Sequence, residues 1–451
     1  MIDASPAASG LFTDLYELSM MQSYVEEGMD GQAVFSLTVR RLPETRNYLL
    51  ACGIDTVLDY LENLHFSARD LAYISSLGQF SPRFLDWLSG FRFSGDIHAM
   101  AEGTPMFANE PILEITAPIA ETQLIETFVL NQIHLQTVLA SKAVRMVTAA
   151  QGRPVVDFGA RRMHGTDAAV KGARAFHIAG VASTSNVLAG HLYGLPVSGT
   201  MAHSYVQAHD DEITAFRAFA RLYPETTLLV DTYDTLEGVH RVVKLAQELG
   251  GDFKVGAIRL DSGDLGALAK QSRHVLDDAG LSTVRIVASG GLDEHAIAGL
   301  LASGAPIDGF GVGTRMGVSS DAPDLDIAYK LVDYAGTGRL KLSTGKRVLP
   351  GRKQVFRTET DGMAVGDVIG RTGEELPGTP LLRPVMRGGK RLPEARDSLE
   401  DMRRRAANAV SRLPAPVRAI EPADPPYPVE ISDLLLEYER EVTRRISQDN
   451  A

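Results

Sequence analysis

Short apolar runs rich in β-branched residues punctuate the middle of the chain, and each ends in small or polar residues. They are 154–159 (PVVDFG), 195–200 (LPVSGT), 228–232 (LLVDT), 256–261 (GAIRLD), 285–290 (RIVASG) and 307–313 (IDGFGVG), with a weaker one near Phe176 to Gly180. Continuous runs of this length predict buried parallel strands. Between them the spacing turns helical: in 235–249, Leu236, Val239, Val243 and Leu245 or Ala246 fall near one face, and 265–276 and 293–303 behave alike. Strand alternating with helix implies βαβ units. About seven such strands predict an α/β fold with an irregular, incomplete β/α barrel, whose chemistry belongs at the C-terminal ends of the strands.

The flanks read differently. Residues 14–27 predict an amphipathic helix, Ala33 to Val39 a strand, and 95–117 strand pieces broken by Gly103, Pro105 and Pro111. Residues 121–149 predict a long helix or helical pair leading into the barrel. Beyond about 336, strands are expected near 354–358 and 363–369, a charged helix at 396–412, a Pro-rich linker at 414–428 and a last helix at 429–447. The expected domains are therefore an N-terminal α+β domain (1–140), a catalytic barrel (141–335) and C-terminal strands and helices (336–451) that pack on the other two.

Composition narrows the class. The chain has 451 residues, 44 % hydrophobic and 23 % charged, so a sizeable core needs no staples. Its single cysteine, Cys52, cannot form an internal disulfide, which suits a reducing compartment. No apolar run of about 18 residues predicts a membrane span, and the first residues lack the basic start and apolar stretch of a signal peptide; a cytoplasmic protein is expected. A formal net charge of −12 argues against a sequence-independent grip on nucleic acid. It leaves room for anionic small ligands, which a few arginines and backbone N–H groups can hold.

Candidate chemistry gathers where the barrel predicts it. Arg161 and Arg162 follow the first run and suit a phosphate or carboxylate, or are solvated loop residues. His203, in GTMAHS, suits a base, ligand or nucleophile, or packs as an ordinary histidine. His209 with Asp210 and Asp211 admits a metal reading, but acidic residues also favour a helix N-terminus. Asp234 fits a helix cap, whereas Asp231 at the strand end has no such role and is read as functional. Arg259 and Asp261, two apart on a strand, share a face. Charge there is costly in a barrel unless used or paired. Ser289-Gly290-Gly291 and Gly311-Val312-Gly313-Thr314 are glycine-rich strand-to-helix turns whose N–H groups suit phosphate. Tyr16, on an amphipathic helix, reads by spacing alone as a core residue.

Taken together, TDLY, DFGARR, TSNVLAG, GTMAHS, VDTYDT, IRLDSGD and GVGT stand in the order found in nicotinate phosphoribosyltransferases, and the chain resembles that family over about three quarters of its length. The resemblance implies a type II phosphoribosyltransferase, an N-terminal α/β domain with an irregular barrel, working as a homodimer with sites completed across the interface. It implies synthesis of nicotinate mononucleotide and pyrophosphate from nicotinate and phosphoribosyl pyrophosphate with Mg²⁺, as a step of NAD salvage, and ATP hydrolysis coupled through a phosphohistidine. His203 matches that histidine and Asp231 the carboxylate that orients it. Arg259, Thr200, Phe158 and Tyr16 match the nicotinate contacts, Tyr16 from the partner subunit. Ser289, Gly290, Gly291, Gly313 and Thr314 match the phosphoribosyl phosphate cradle, Arg161 an arginine near the ligand, and Asp261 a place near the ribose hydroxyls.

Four other readings remain in view. A relative using nicotinamide could employ the same arginine, and quinolinate use would call for more cations. A ligand-sensing barrel without turnover would be expected to lack His203 or Asp231, both of which are present. A metal-dependent aldolase-like barrel with Asp231, His203 and Asp261 as ligands fits the bare pattern too.

Overall fold

A computed structural model describes residues 9–342 and 347–449. The chain forms two compact units, one of Met1–Ala140 with Asp324–Ala451 and one of Ser141–Pro323.

The first unit is built on a seven-stranded antiparallel sheet among the described residues, in the order Thr337–Gly338, Ile327–Tyr334, Gln32–Val39, Pro111–Pro118, Asp96–Met100, Leu382–Arg387, Lys390–Arg391. Ile327–Tyr334 lies along Gln32–Val39, so this stretch belongs to the α+β unit although it follows the barrel in sequence. The expected helices and strands of this unit form, with two differences. Residues 429–431 pair as a short strand with Met363–Arg371, and only Asp433–Asp449 is helical. Within the Pro-rich stretch, Ala415–Arg418 makes one helical turn. Three helices, Ile54–Asn63, Ala68–Ser76 and Pro82–Ser89, lie where the apolar pattern does not single out an element. Their buried residues, such as Val57, Leu58, Leu61, Ile74 and Phe84, join the same core as the sheet.

The second unit is a curled, wholly parallel sheet of six strands in the order Ser183–Thr184, Val155–Asp157, Gly309–Val312, Arg285–Ala288, Ala257–Leu260, Thr227–Leu229. Helices follow the strands as the pattern requires, and acidic residues start them. Asp211, Asp234, Asp264 and Asp293 each accept a backbone N–H three residues on, which satisfies an otherwise orphan donor. Asp211 is thereby a helix cap, and among the described residues no group of three or more His, Cys, Asp or Glu side chains is arranged to hold a metal.

Two expected strands are corrected. Residues 176–178 close the helix Thr166–Ile178, because Ala168, Ala169, Ala173 and Phe176 fall on one buried helical face and Ile178 is buried on the other side; the strand comes later, at Ser183–Thr184. Residues 195–200 make only an isolated bridge, Val197 to Thr184. Pro196 has no N–H to continue a ladder. This segment still matters, since the Thr200 hydroxyl donates to the Thr227 carbonyl on the opposite edge strand. It therefore touches both edges of the curled sheet.

The turn that follows strand Arg285–Ala288 is anchored from below. Glu294, fully buried at the start of the next helix, accepts from Lys142 at 2.5 Å and from Arg145 at 2.8 Å, and Lys142 also meets Asp321 at 2.7 Å. Burial works to raise the Glu294 pKa, but Lys142 and Arg145 outweigh it and hold the carboxyl below the ordinary range. A carboxyl depressed in the fold contributes stability at neutral pH that is lost as the pH falls through its folded value. Glu294→Ala leaves the buried Lys142 ammonium with Asp321 alone, and is expected to destabilise the unit by about 3–5 kcal/mol. Urea denaturation at pH 7 checks this; a change below about 1 kcal/mol would mean that the pairs only offset their own desolvation.

Candidate active site

Successive strand ends of the parallel sheet are tied by side chains that the apolar runs deliver there. Asp231, two residues past Thr227–Leu229, is buried; its Oδ2 accepts the Asp261 N–H at 2.9 Å and the Ser262 hydroxyl at 2.6 Å. Asp261 follows Ala257–Leu260, and its Oδ1 accepts the hydroxyl of buried Ser289 at 2.5 Å. Its Oδ2 lies 3.8 Å from Nε2 of His203. His203 begins the short helix His203–Gln207, and its Nδ1 sits 3.1 Å from the Thr232 hydroxyl.

Arg259 stands on the strand Ala257–Leu260, two residues before Asp261. Burial lowers its pKa, Asp261 and Asp231 counteract this, and Arg161 adds to the lowering; a guanidinium stays charged throughout. Only one long contact engages it, Nη2 to the Met201 carbonyl at 3.4 Å, and its buried Nε has no hydrogen-bond partner among the described residues. Asp231 Oδ1 is likewise buried and unpartnered. A cationic donor and an anionic acceptor thus stand unmatched at neighbouring strand ends. Buried polar atoms are usually satisfied by protein, water or a ligand.

The loop after Val155–Asp157 forms another wall. Asp157 Oδ1 accepts the Gly159 N–H and its Oδ2 the Thr184 hydroxyl, both at 2.7 Å. Burial pushes the Asp157 carboxyl up, and these two bonds pull it back only in part. The loop is pinned by the Phe158 N–H donating to Val312 at 2.7 Å. Gly311 has no side chain because the Phe158 ring occupies the space; a Cβ there would lie 2.8 Å from the ring and 3.1 Å from Ser289. Arg161 is exposed on the turn Ala160–Arg162. Gly290 and Gly291 both take left-handed φ, +93° and +67°, and Gly313 precedes the short helix Thr314–Gly317 with Thr314 exposed. Bare N–H groups in such turns suit an oxyanion.

Comparison with known proteins decides the family. Residues 11–134 match the model of the nicotinate phosphoribosyltransferase N-terminal domain, and residues 154–362 that of the nicotinate phosphoribosyltransferase family. The chain belongs to the nicotinate phosphoribosyltransferase family. Nicotinate phosphoribosyltransferase pncB2 of Mycobacterium tuberculosis is 57 % identical over 94 % of this chain and 92 % of its own length. The Bacillus subtilis nicotinate phosphoribosyltransferase is 41 % identical over 83 % and 78 %. The crystal structure of human nicotinic acid phosphoribosyltransferase superposes with a TM-score of 0.84 at 28 % identity, covering 95 % of this chain and 99 % of that one. An α/β fold with a curled parallel half-barrel and an N-terminal domain is thus the family's fold, and the strand-end cluster lies within the second match.

Several expected relationships differ in the family member's structure. Asp231 makes no hydrogen bond to His203; its Oδ2 is drawn instead to two donors on the next strand end, and Thr232 is the hydroxyl at His203 Nδ1. Thr200 spends its hydroxyl on Thr227 and lines a separate open hollow with Phe219, Tyr223 and Lys254, while the neighbouring Met201 carbonyl meets Arg259. Tyr16 belongs to the first unit, where it is 48 % exposed rather than a core residue, with its hydroxyl 3.4 Å from Glu17 Oε1.

Other residues were not singled out by sequence. Asp157, Thr232 and Ser262 hydrogen-bond the loops at the strand ends, and only the Asp-x-Gly spacing at 157–159 is a readable turn signal. In the first unit, Ser36, Arg40, Lys330, Lys341, Arg347 and Lys353 line a hollow of about 390 Å³, with the Ser36 hydroxyl buried and unpartnered. Such a lining suits an anion, but its members are spread over more than three hundred positions and no local motif joins them.

Gly290 is the tightest of the strand-end glycines. A Cβ on it would lie 1.9 Å from the Asp261 carbonyl, at a φ that side chains avoid. Gly290→Ala is expected to cost about 2–4 kcal/mol of stability and to abolish tight binding of a phosphorylated ligand. Denaturation and isothermal titration with phosphoribosyl pyrophosphate check both; unchanged binding would show that this turn is not the cradle.

Proposed function

We propose that the chain transfers the phosphoribosyl group of phosphoribosyl pyrophosphate to the ring nitrogen of nicotinate, in NAD salvage, with ATP hydrolysis coupled through a phosphohistidine at His203. The observation that carries this reading is Arg259: a buried guanidinium with an unmatched N–H, two residues before Asp261, suits a ligand carboxylate. The relatives named above act on nicotinate, and the reading extends their substrate to this chain. A cytoplasmic enzyme fits the single buried cysteine and the absence, among the described residues, of any helix long and apolar enough to cross a membrane.

In this reading the nicotinate nitrogen attacks the anomeric carbon as its bond to the pyrophosphate oxygen breaks. The nitrogen is already a nucleophile, so no general base is needed. Phe158 gives the pyridine one apolar face, and Tyr16 of a second copy the other. Ser289-Gly290-Gly291 and Gly313-Thr314 hold the ribosyl phosphate on backbone N–H groups, with Arg161 at the mouth. Asp261 faces the ribose hydroxyls. Mg²⁺ fits here: Asp231 has a free buried oxygen and Asp261 stands beside it. These two carboxylates would hold the ion, which usually keeps several waters and shares substrate phosphates; when bound it neutralises charge on the departing pyrophosphate.

His203 suits the coupling step. If Nδ1–H donates to Thr232, Nε2 carries the free lone pair. That lone pair attacks the γ-phosphorus of ATP, the bond to the bridging oxygen breaks, and ADP leaves. Asp261, 3.8 Å from Nε2, holds the ring charge while the phosphoramidate forms and is cleaved. Thr200 acts in this reading through the backbone, keeping Met201 beside Arg259.

The test is pyrophosphate release from phosphoribosyl pyrophosphate and Mg²⁺ with nicotinate, nicotinamide or quinolinate, with and without ATP. Turnover is expected with nicotinate, stimulated by ATP in the wild type and not in His203→Ala. Arg259→Ala should raise KM for nicotinate by about 10–100-fold, the worth of a charged hydrogen bond. Preference for nicotinamide would move the substrate, and no turnover with any of the three would overturn the assignment.

A further inference from the structure

The segment Thr13-Asp14-Leu15-Tyr16-Glu17 does more than carry Tyr16. Glu17 is fully buried, and its carboxylate gathers four donors: the Thr13 hydroxyl, the Asp14 N–H at 3.3 Å, the Thr127 N–H at 3.1 Å and the Thr127 hydroxyl at 2.8 Å. Thr127 stands in the first turn of Glu126–Ala149, so one carboxylate ties the start of helix Leu15–Glu27 to the start of the long helix. The Thr127 hydroxyl lies equally close to the Asp14 carboxylate, at 2.8 Å, so its single hydrogen is shared between Asp14 and Glu17. Closing a capping box needs only the Asp14 N–H. A carboxylate sunk between two helices and touching the tyrosine beside it exceeds that need, and burying charge is costly.

We propose that Glu17 is a positioning residue that fixes the Tyr16 ring for the pyridine substrate, so that KM for nicotinate depends on it more than kcat does. The inference rests on the reading of Tyr16 as one wall of the pyridine site. Tyr16 is half exposed, its phenol lies in the field of Glu126, Glu17 and Asp14, and its hydroxyl is held by the Glu126 carboxylate as well as by Glu17. The ring can therefore face a ligand while its hydroxyl end is held.

The same carboxylate makes the wall responsive to pH. Burial pushes Glu17 up to about 7; Thr13 and Thr127 pull it back and Glu126 pushes it further. The groups facing it are Asp14 and Tyr16 from its own helix segment, Glu126 from the long helix, Tyr60 from Ile54–Asn63 and Tyr329 from Ile327–Tyr334. Lys330 is the nearby cation, 3.8 Å from Glu126. Below its pKa Glu17 is neutral; above it a negative charge appears beside the ring. Nicotinate is an anion, so its KM should rise from pH 6 to pH 8 by about threefold, the size of a partly screened charge interaction.

The experiment measures KM and kcat for nicotinate and KM for phosphoribosyl pyrophosphate on the full chain, from pH 6 to 8, in wild type, Tyr16→Ala, Glu17→Ala, Glu17→Gln and Thr13→Val. Tyr16→Ala and Glu17→Ala should each raise KM for nicotinate by about 10-fold, the loss of one aromatic face, with kcat and the other KM changed by less than about twofold. Glu17→Gln should recover most of that rise and lose the pH step. Thr13→Val, which keeps the carboxylate and removes a donor that lowers its pKa, should move the step to higher pH. If Glu17→Ala does not fold, the last two variants carry the test. A raised KM in Tyr16→Ala with Glu17 variants like wild type overturns the proposal alone. A fall in kcat with equal rises in both KM values in Glu17→Ala also overturns it, as a packing role. An unchanged KM in Tyr16→Ala overturns the pyridine-wall reading beneath it.

Discussion

Asp261 is the residue on which the geometry of the strand-end cluster depends. Its N–H is held by Asp231, its carbonyl lies under Gly290, one carboxylate oxygen takes the Ser289 hydroxyl and the other faces His203. Three strand ends and a helix start are therefore referred to one residue. Parallel strands register only through their ladder hydrogen bonds, and these stop where the strands stop. Side-chain bonds past that point decide where the strand-end side chains stand. With Asp261 in place, the glycine turn can approach only because position 290 has no Cβ, and the buried Arg259 Nε–H keeps no hydrogen-bond partner among the described residues.

Support for this arrangement comes from deeper layers. The buried Glu294, held by Lys142 and Arg145, anchors the helix that follows the Ser289-Gly290-Gly291 turn. Asp157 shapes the loop that lays Phe158 across Gly311. Neither residue faces a ligand. Each fixes a backbone segment, the glycine turn in one case and the loop that carries Phe158 in the other. Glu17 has the same character in the α+β unit, where it sets the start of two helices around Tyr16.

Much of this was legible from local pattern. The alternation of apolar runs with helical spacing is a statement about burial, and it located the strands Val155–Asp157, Thr227–Leu229, Ala257–Leu260, Arg285–Ala288 and Gly309–Val312 together with their helices. The pattern failed at 176–178, where a run of small and apolar residues satisfies a helix face as well as a strand, and at 195–200, where Pro196 withdraws a donor. It could not separate Asp231 from Thr232 as the neighbour of His203. Adjacent residues at a strand end point in different directions, and the donors that capture Asp231 arrive from residues 261 and 262.

The sequence by itself determined the class of fold, the ordered motifs of the family and the residue types that gather at the strand ends, because these rest on periodicity and on chemistry local to each segment. Only the tertiary structure decided which of those residues meet. The bond from Thr200 to Thr227, the approach of Asp261 to His203, the tie of Glu17 to Thr127 and the cationic hollow from Arg40 to Lys353 all join positions remote in the chain. Such contacts are set by how the elements pack, and no spacing along one segment encodes them.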